Sequence, residues 1–238
     1  MVRAPTVSRL AAIAEDQWGF VTRRQAERAG VSAATLDRIT GGDGILERVA
    51  HGVYHLAGAP LPDHVALRAA WLQLEPNTLA WERRPDQGVV SHRSAGALYG
   101  LGHLPADSHD FTLPQRRQSR RPDVRLHRRR LRDSEWAVLH GLPVTRPPRI
   151  AADLLGDRED PEAVAHVVAD AIRDAHDYPG DFADALAAYA ARFGLRRGDG
   201  LALLRWLLDL TGDPEAGRWV AEAHTRVAGG TGSQESAR

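Results

Sequence analysis

The chain has 238 residues, 43% of them hydrophobic and 26% charged, with 31 basic and 31 acidic side chains and no cysteine. This composition is typical of a globular protein of one or two domains, and the lack of cysteine excludes disulfides, thiolate metal sites and cysteine nucleophiles. No apolar run is long enough to cross a bilayer and no apolar leader opens the chain, so we expect a cytoplasmic protein.

The charge is distributed unevenly along the chain, and every basic residue is an arginine. Residues 1–60 carry seven arginines and six acids, residues 61–150 carry fifteen and nine, and residues 151–238 carry nine and sixteen. A basic middle beside an acidic end favours a nucleic-acid partner for the middle segment. The alternative is that the two segments neutralise each other.

Two helices are predicted near the amino terminus. Apolar residues at helical spacing predict the first over residues 7–15. Thr22 and Gln25 have the spacing of a capping box, which starts the second helix. Gly30 suits the left-handed residue that ends it.

A third helix follows the glycine turn directly. Ser32 is its predicted N-cap, Leu36 and Ile39 share its apolar face, and Thr35 and Arg38 lie together on the opposite face. Two short helices joined by a glycine turn describe a helix-turn-helix, whose second helix enters the DNA major groove.

A β-hairpin is predicted after these helices. Residues 46–49 and 53–56 are short β-prone runs, and Gly52 supplies the positive φ that the turn needs, with Arg48 and His51 near its tip. Three helices and a hairpin make a winged helix-turn-helix. The alternative reading is a protein–protein module, because such trihelical units serve that role too.

Proline and glycine mark residues 57–62 as a linker. We therefore expect an α+β protein with a winged helix-turn-helix domain at 1–57 and a mixed α/β domain at 63–228 that is extended by a carboxyl-terminal helical bundle. The composition of residues 229–238 predicts a disordered tail. The elements predicted in the second domain are a helix over 63–74, a helix capped by Ser91, strands at 111–113 and 124–128, a helix after Thr145, and helices over 161–175, 181–193, 199–210 and 214–227.

A dense run of arginines lies in and after the loop between the two predicted strands. Nine arginines fall within the seventeen positions from 116 to 132. Guanidinium forks match phosphate oxygens, and the lack of aromatic side chains favours contact with the nucleic-acid backbone rather than with bases. The alternative is a solvated hairpin that faces the acidic segment. The predicted basic patch consists of Arg116, Arg117, Arg120, Arg121, Arg125, Arg128, Arg129 and Arg130.

Several motifs occur in an order that resembles a known family. GVVSHRSAGALYGLGHLP, DFTLPQRR, VRLHRRRL and GLPVTRPPRIAADLL follow a winged module that ends in HGVYHL. From Ser8 to Leu155 the chain resembles the AbiEi family, the antitoxins of type IV toxin–antitoxin (abortive infection) systems. One departure is Ile150, where the family usually has threonine, which puts in doubt any polar role at that position.

We expect the winged module to recognise a promoter sequence, an inverted repeat bound by two copies. The resemblance implies an antitoxin that represses its own operon through this module. It implies that the carboxyl-terminal domain counteracts a nucleotidyltransferase-type toxin without a stable complex. Asp37 is an acidic residue beside the predicted DNA contacts, so it must either accept a hydrogen bond from a cytosine amine or pair with a neighbouring arginine. On this chain the implied DNA-contacting residues are Ser32, Thr35 and Arg38 in the groove, and Arg23, Arg24, Arg48 and His51 on the phosphates.

Catalytic motifs are missing from the sequence. There is no lysine for a common metal-dependent nuclease site, no HExxH pair of histidines and no GxSxG elbow. We therefore expect no enzyme activity, no cofactor and no metal, with Asp153 a structural hydrogen-bond acceptor and His92 and Arg93 exposed on a first helical turn. The alternatives are a stand-alone transcriptional regulator without a toxin, and a protein- or RNA-interaction protein that uses the module as a scaffold.

Overall fold

A computed structural model describes residues 4–41, 44–105 and 107–230. The chain divides into two compact units, Met1–Gly88 and Val89–Arg238, which we call the N-unit and the C-unit. The mixture of helices and sheets confirms the predicted α+β class. Within the described residues, none of the helices has the length and apolar character needed to span a membrane.

The N-unit contains four helices and one three-stranded sheet among its described residues. Its elements are α1 (Ala4–Glu15), β1 (Phe20–Thr22), α2 (Arg23–Arg28), α3 (Ala33–Gly41), β2 (Leu46–Ala50), β3 (Val53–Leu56) and α4 (Val65–Leu74).

The C-unit combines a five-stranded sheet with six helices among its described residues. Its elements are β4 (Val89–Val90), α5 (His92–Tyr99), β5 (His109–Leu113), β6 (Val124–Arg128), β7 (Trp136–Leu139), β8 (Leu142–Thr145), α6 (Pro147–Gly156), α7 (Pro161–Arg173), α8 (Pro179–Leu186), α9 (Gly200–Thr211) and α10 (Ala216–Gly230).

The predicted helix-turn-helix is confirmed by α2 and α3. Thr22 caps α2: its hydroxyl accepts from the Gln25 N–H at 3.1 Å, and its own N–H donates to the Gln25 side chain at 2.9 Å, which completes the capping box. Gly30 has φ +81° in the turn, as predicted. Leu36 and Ile39 of α3 are fully buried in the core of the unit.

The predicted hairpin is confirmed by β2 and β3, which we call the wing. The two strands are antiparallel, with a register irregularity between Arg48 and Ala50, and Gly52 has φ +67° in the turn. The sequence analysis missed β1, which pairs with β3 and gives the sheet order β1-β3-β2. At three residues, β1 is too short to show an alternating pattern.

A buried polar cluster fastens α2 to the chain that follows α4. Gln17 and Gln25 exchange two side-chain hydrogen bonds of 2.8 and 3.0 Å, which we call the glutamine pair. Gln25 also donates to the Thr78 carbonyl at 3.0 Å, and Gln17 accepts from the Ala80 N–H at 3.0 Å. The segment after α4 is therefore part of the N-unit.

The observed division at Gly88 differs from the predicted boundary at 57–63. The fully buried Trp71 of α4 packs edge-on against Trp18, with ring centroids 5.9 Å apart, and its indole N–H donates to the Gly88 carbonyl at 2.8 Å. Proline and glycine in residues 57–62 mark a loop inside the N-unit, because the helix after them buries its apolar face on that unit.

The sheet of the C-unit is mixed, with strand order β6-β5-β4-β8-β7. Strands β5 and β6 are parallel, and β4 is parallel to β8, whereas the other neighbours are antiparallel. Residues 114–123 must therefore return from the end of β5 to the start of β6, so the predicted alternative of a hairpin is wrong. Spacing in the sequence predicts two strands but not their relative direction.

Helices α7 to α10 confirm the predicted helical end of the chain. Each follows its predicted range closely, except that residues 187–193 form a 3₁₀ segment after α8. Their core is apolar and includes the fully buried Leu204, Leu207 and Trp219. Of the predicted disordered tail, residues 229–230 end α10 and residues 231–238 lie outside the described residues.

The two bonds of the Thr22 hydroxyl give a stability prediction. The hydroxyl accepts from Gln25 and donates to the Pro76 carbonyl at 2.5 Å, so Thr22→Val, which keeps the shape, removes both. We expect the free energy of unfolding of the N-unit to fall by about 2–3 kcal/mol, from one cap and one buried hydrogen bond. Denaturant-dependent hydrogen exchange of residues 4–88 measures this loss.

The matched control is Thr40→Val. Among the described residues, the Thr40 hydroxyl donates to the Leu36 carbonyl of its own helix, at 2.8 Å. We expect this substitution to lower the free energy of unfolding by about 0.5 kcal/mol or less, since such bonds within a helix add little stability. Equal losses in the two variants would contradict the role of Thr22 as the joint between α2 and the segment after α4.

Candidate DNA-binding surface

Helix α3 presents short polar and basic side chains to solvent. Ser32 and Arg38 are exposed and Thr35 is partly exposed, while Leu36 on the other face is buried. The Ser32 hydroxyl accepts from the Thr35 N–H at 3.2 Å and lies 2.9 Å from the Thr35 hydroxyl, so it caps the helix as predicted. Asp37 is exposed as well. The predicted groove-facing residues therefore do not serve the core.

The two arginines that begin α2 are held by one carboxylate. Glu27 accepts from Arg23 at 3.1 Å and from Arg24 at 3.2 Å. The Glu27 hydrogen bond raises the pKa of the partly exposed Arg23 above its ordinary value, and the negative charge of Asp37 acts in the same direction. Both guanidiniums reach solvent, but part of their positive charge is already compensated by Glu27.

The wing turn lies directly against the start of α2. The Arg23 N–H donates to the Gly52 carbonyl at 2.8 Å, and Gln73 of α4 donates to the His51 carbonyl at 2.7 Å. At the tip, the Arg48 guanidinium lies 3.1 Å from the His51 ring Nδ1, and both side chains are exposed. The arginines of α2 and Arg48 of the wing are thus held on adjoining segments, and Gln73 of α4 braces the turn between the wing strands.

The predicted basic patch lies in the C-unit, on the 114–123 connection and on the edge strand β6. Most of its arginines are exposed, but Arg121 is half-buried. The Arg121 guanidinium donates to the Asp123 carboxylate and lowers the pKa of that group. Arg129 approaches Asp153 at 3.9 Å. The patch members that are exposed to solvent are Arg116, Arg117, Arg120, Arg125, Arg128, Arg129 and Arg130. Their contact with backbone phosphates stays a prediction.

A buried group of polar residues in the C-unit was missed by the sequence analysis. The expectation that His92 is exposed is wrong: only 6% of it is accessible, and its ring stacks on that of His127 with centroids 3.5 Å apart. Arg93 is partly exposed and pairs with Glu159. Burial first, and then the neighbouring His127, lowers the pKa of His92 to about 4.

Beneath these rings lies a buried ion pair between Arg149 and Asp153 of α6. Both residues are at most 6% exposed, and Arg149 also lies 3.7 Å from Glu135. Burial raises the pKa of Asp153, while the Arg149 guanidinium lowers it in part. Asp153 is therefore a structural acceptor, as predicted. Its partner shows no signal in the sequence beyond the i, i+4 spacing on one helix.

A helix-turn-helix followed by a hairpin, with polar and basic side chains on the exposed face of its second helix, is the architecture of a winged DNA-binding module. In keeping with this, residues 8–57 match the family model described as "Transcriptional regulator, AbiEi antitoxin". The match confirms the AbiEi resemblance for this segment and supports a DNA-binding antitoxin in general.

The other comparisons bear on the fold. A comparison with curated proteins finds no match. Among solved structures, the crystal structure of the RV2827C protein from Mycobacterium tuberculosis is similar, with a TM-score of 0.53 and 18% sequence identity. The alignment covers 94% of this chain and 83% of that one. At this identity the likeness concerns the fold alone.

The buried ion pair yields a stability prediction for the C-unit. Arg149→Met leaves the Asp153 carboxylate buried without its main partner, so we expect the free energy of unfolding to fall by about 3–5 kcal/mol at neutral pH. The pKa of Asp153 is already raised, and it rises further in the variant. The loss therefore shrinks as the pH falls through that pKa and the carboxyl group takes up a proton. Thermal and denaturant unfolding across this pH range measures it.

The double variant Arg149→Met with Asp153→Leu provides the control. With both charges removed, we expect most of the lost stability to return, because no unpaired charge stays buried. A double variant that is less stable than Arg149→Met alone would contradict the explanation.

Proposed function

We propose that the protein is a transcriptional repressor and antitoxin that binds the promoter of its own operon through the winged module. Arg38 and Thr35 of α3 would read bases in the major groove, while Arg23, Arg24, Arg48 and His51 would hold phosphates on either side. The observation that carries this proposal is the exposed polar face of α3 within the segment that matches an AbiEi transcriptional regulator.

The geometry of the module supports different roles in DNA binding for its residues. The Ser32 hydroxyl caps α3, so Ser32 would contribute to DNA binding by orienting Thr35 rather than through a strong contact of its own. Arg23 and Arg24 share Glu27, so each neutralises less than a full phosphate charge. We assign base reading to Arg38 of α3 and a phosphate contact to Arg48 of the wing, both of which are exposed. Two copies on an inverted repeat would double this surface.

The remaining parts of the proposal rest on the AbiEi resemblance. We infer that the C-unit counteracts a nucleotidyltransferase-type toxin without forming a stable complex, that the protein is not itself an enzyme, and that it works in the cytoplasm. The C-unit offers a basic patch around the 114–123 connection that would add backbone contacts to DNA and so strengthen promoter binding without changing the preferred sequence.

Promoter recognition is tested by the double variant Arg38→Ala with Arg48→Ala. Loss of a base contact and a phosphate contact is expected to weaken binding to the DNA upstream of its own gene by about 30-fold or more, and to reduce the preference for that DNA over shuffled sequence. Fluorescence anisotropy with the full chain at a fixed salt concentration gives both quantities.

The matched control is Arg196→Ala with Arg197→Ala, two exposed arginines in the loop before α9. It also removes two positive charges, and we expect the preference for promoter DNA to be retained. If the Arg38 and Arg48 variant binds the promoter as the wild type does, the groove assignment fails and a role in protein or RNA interaction is favoured instead.

The basic patch is tested by the quadruple variant Arg116→Ser, Arg117→Ser, Arg120→Ser and Arg121→Ser. We expect the slope of log affinity against log salt to flatten by about 2–4, since each phosphate contact contributes about 0.9. The ratio of promoter to shuffled affinity should stay unchanged. A slope equal to that of the wild type would mean that the patch does not touch DNA.

A further inference from the structure

Two histidines and a carboxylate that are far apart in the sequence meet in the C-unit. His92 is the first residue of α5, His127 lies in β6, and Asp157 directly follows α6. One ligand-type atom from each lies within 4.8 Å of the other two, and the His92 Nε2 is 3.7 Å from the Asp157 Oδ2. Imidazole nitrogen and carboxylate oxygen together are typical donors for first-row transition metals, whereas Mg²⁺ and Ca²⁺ favour sites made of oxygen.

One nitrogen of each ring is already engaged by a buried partner. The Asp110 carboxylate lies 2.8 Å from the Nε2 of His127, and the Ser91 hydroxyl lies 2.9 Å from the Nδ1 of His92. The Thr112 hydroxyl in turn donates to Ser91 at 2.8 Å. When both rings donate through these engaged nitrogens, the His127 Nδ1 and the His92 Nε2 carry the free lone pairs. A carboxylate or hydroxyl behind each histidine is the usual support of a metal site.

The side chains that bond to the two histidines are almost completely buried. Ser91, Asp110 and Thr112 are each at most 3% exposed. The backbone of His92 also adopts φ +53°, a left-handed conformation that is costly for a residue with a side chain. The buried Arg149 of α6 is bonded to a different carboxylate, that of Asp153.

We propose that His92, His127 and Asp157 bind one divalent transition-metal ion of the Zn²⁺ class, with a fourth position open to water. Tetrahedral zinc with bonds of about 2.0–2.2 Å places its ligand atoms about 3.3 Å apart. The His92 to Asp157 distance is close to this value, and the Asp157 side chain is 52% exposed and able to move. For both free nitrogens to point at one ion, the two stacked rings must tilt apart at the edges that carry those nitrogens.

Such an ion would join three segments of the C-unit that are far apart in the sequence. Strand β6 lies at the edge of the sheet and pairs only with β5, whereas His92 belongs to α5 and Asp157 ends α6. Binding to the folded state and not to the unfolded chain raises the Tm with metal concentration. The basic patch shares β6 with His127, so the ion would also fix the strand that carries Arg125 and Arg128.

The experiment titrates Co²⁺ into the untagged, chelator-treated full chain and follows the visible absorption of a four-coordinate ion. We expect one ion per chain, displacement by Zn²⁺, and a rise in Tm with either metal. His127→Ala should lower the affinity at least 100-fold. Asp157→Asn should lower it at least 10-fold and, because this side chain is exposed, should leave the fold intact, which circular dichroism checks.

The matched control is His109→Ala, which removes another histidine of the same sheet that lies 3.9 Å from an aspartate, Asp123. We expect Co²⁺ binding to be unchanged in this variant. The proposal is overturned if the wild type shows no stoichiometric Co²⁺ signal, or if Asp157→Asn and His127→Ala both bind the ion as the wild type does. It is overturned as well if the His109 variant loses binding equally.

Discussion

The N-unit depends on a small set of buried hydrogen bonds between side chains that are distant in the sequence. The glutamine pair, Gln17 and Gln25, is satisfied on every side, and it joins the turn before β1, the first helix of the helix-turn-helix and the segment after α4. A buried amide without partners would cost more than each of these bonds contributes, so the arrangement specifies one geometry. Helix α2 is fixed by it, and α3 follows across a single glycine turn.

Outside that constraint, the outer face of α3 is turned to solvent. The apolar residues of α3 fill the core of the N-unit, Ser32 caps the helix through its bonds to Thr35, and Arg38 on the outer face is exposed. The wing adds Arg48 and His51 on a turn that α4 braces. A rigid scaffold that displays short polar and cationic side chains is what groove recognition requires, because ordering flexible side chains on binding costs affinity.

Local patterns predicted the parts of the structure that local interactions decide. The capping box at Thr22, the glycine turn and the buried stripe of α3 depend on residues three or four apart, so they are readable in the sequence. The parallel pairing of β5 with β6 and the packing of α4 on the N-unit depend on contacts across long stretches of chain. The same is true of His92 and His127, whose positions give no recognisable spacing, so the sequence indicated neither their burial nor their contact.

The central claim is that the exposed face of α3 enters DNA, and the cysteine-free chain allows a direct measurement of it. Ala34 is exposed, one turn before Arg38 on the same face, so Ala34→Cys offers a single attachment point for an iron chelate that cleaves nearby DNA. With the DNA upstream of its own gene, the account predicts cuts at discrete positions, lost when Arg38 and Arg48 are also replaced by alanine. Cleavage no more localised than that of the free chelate would contradict it.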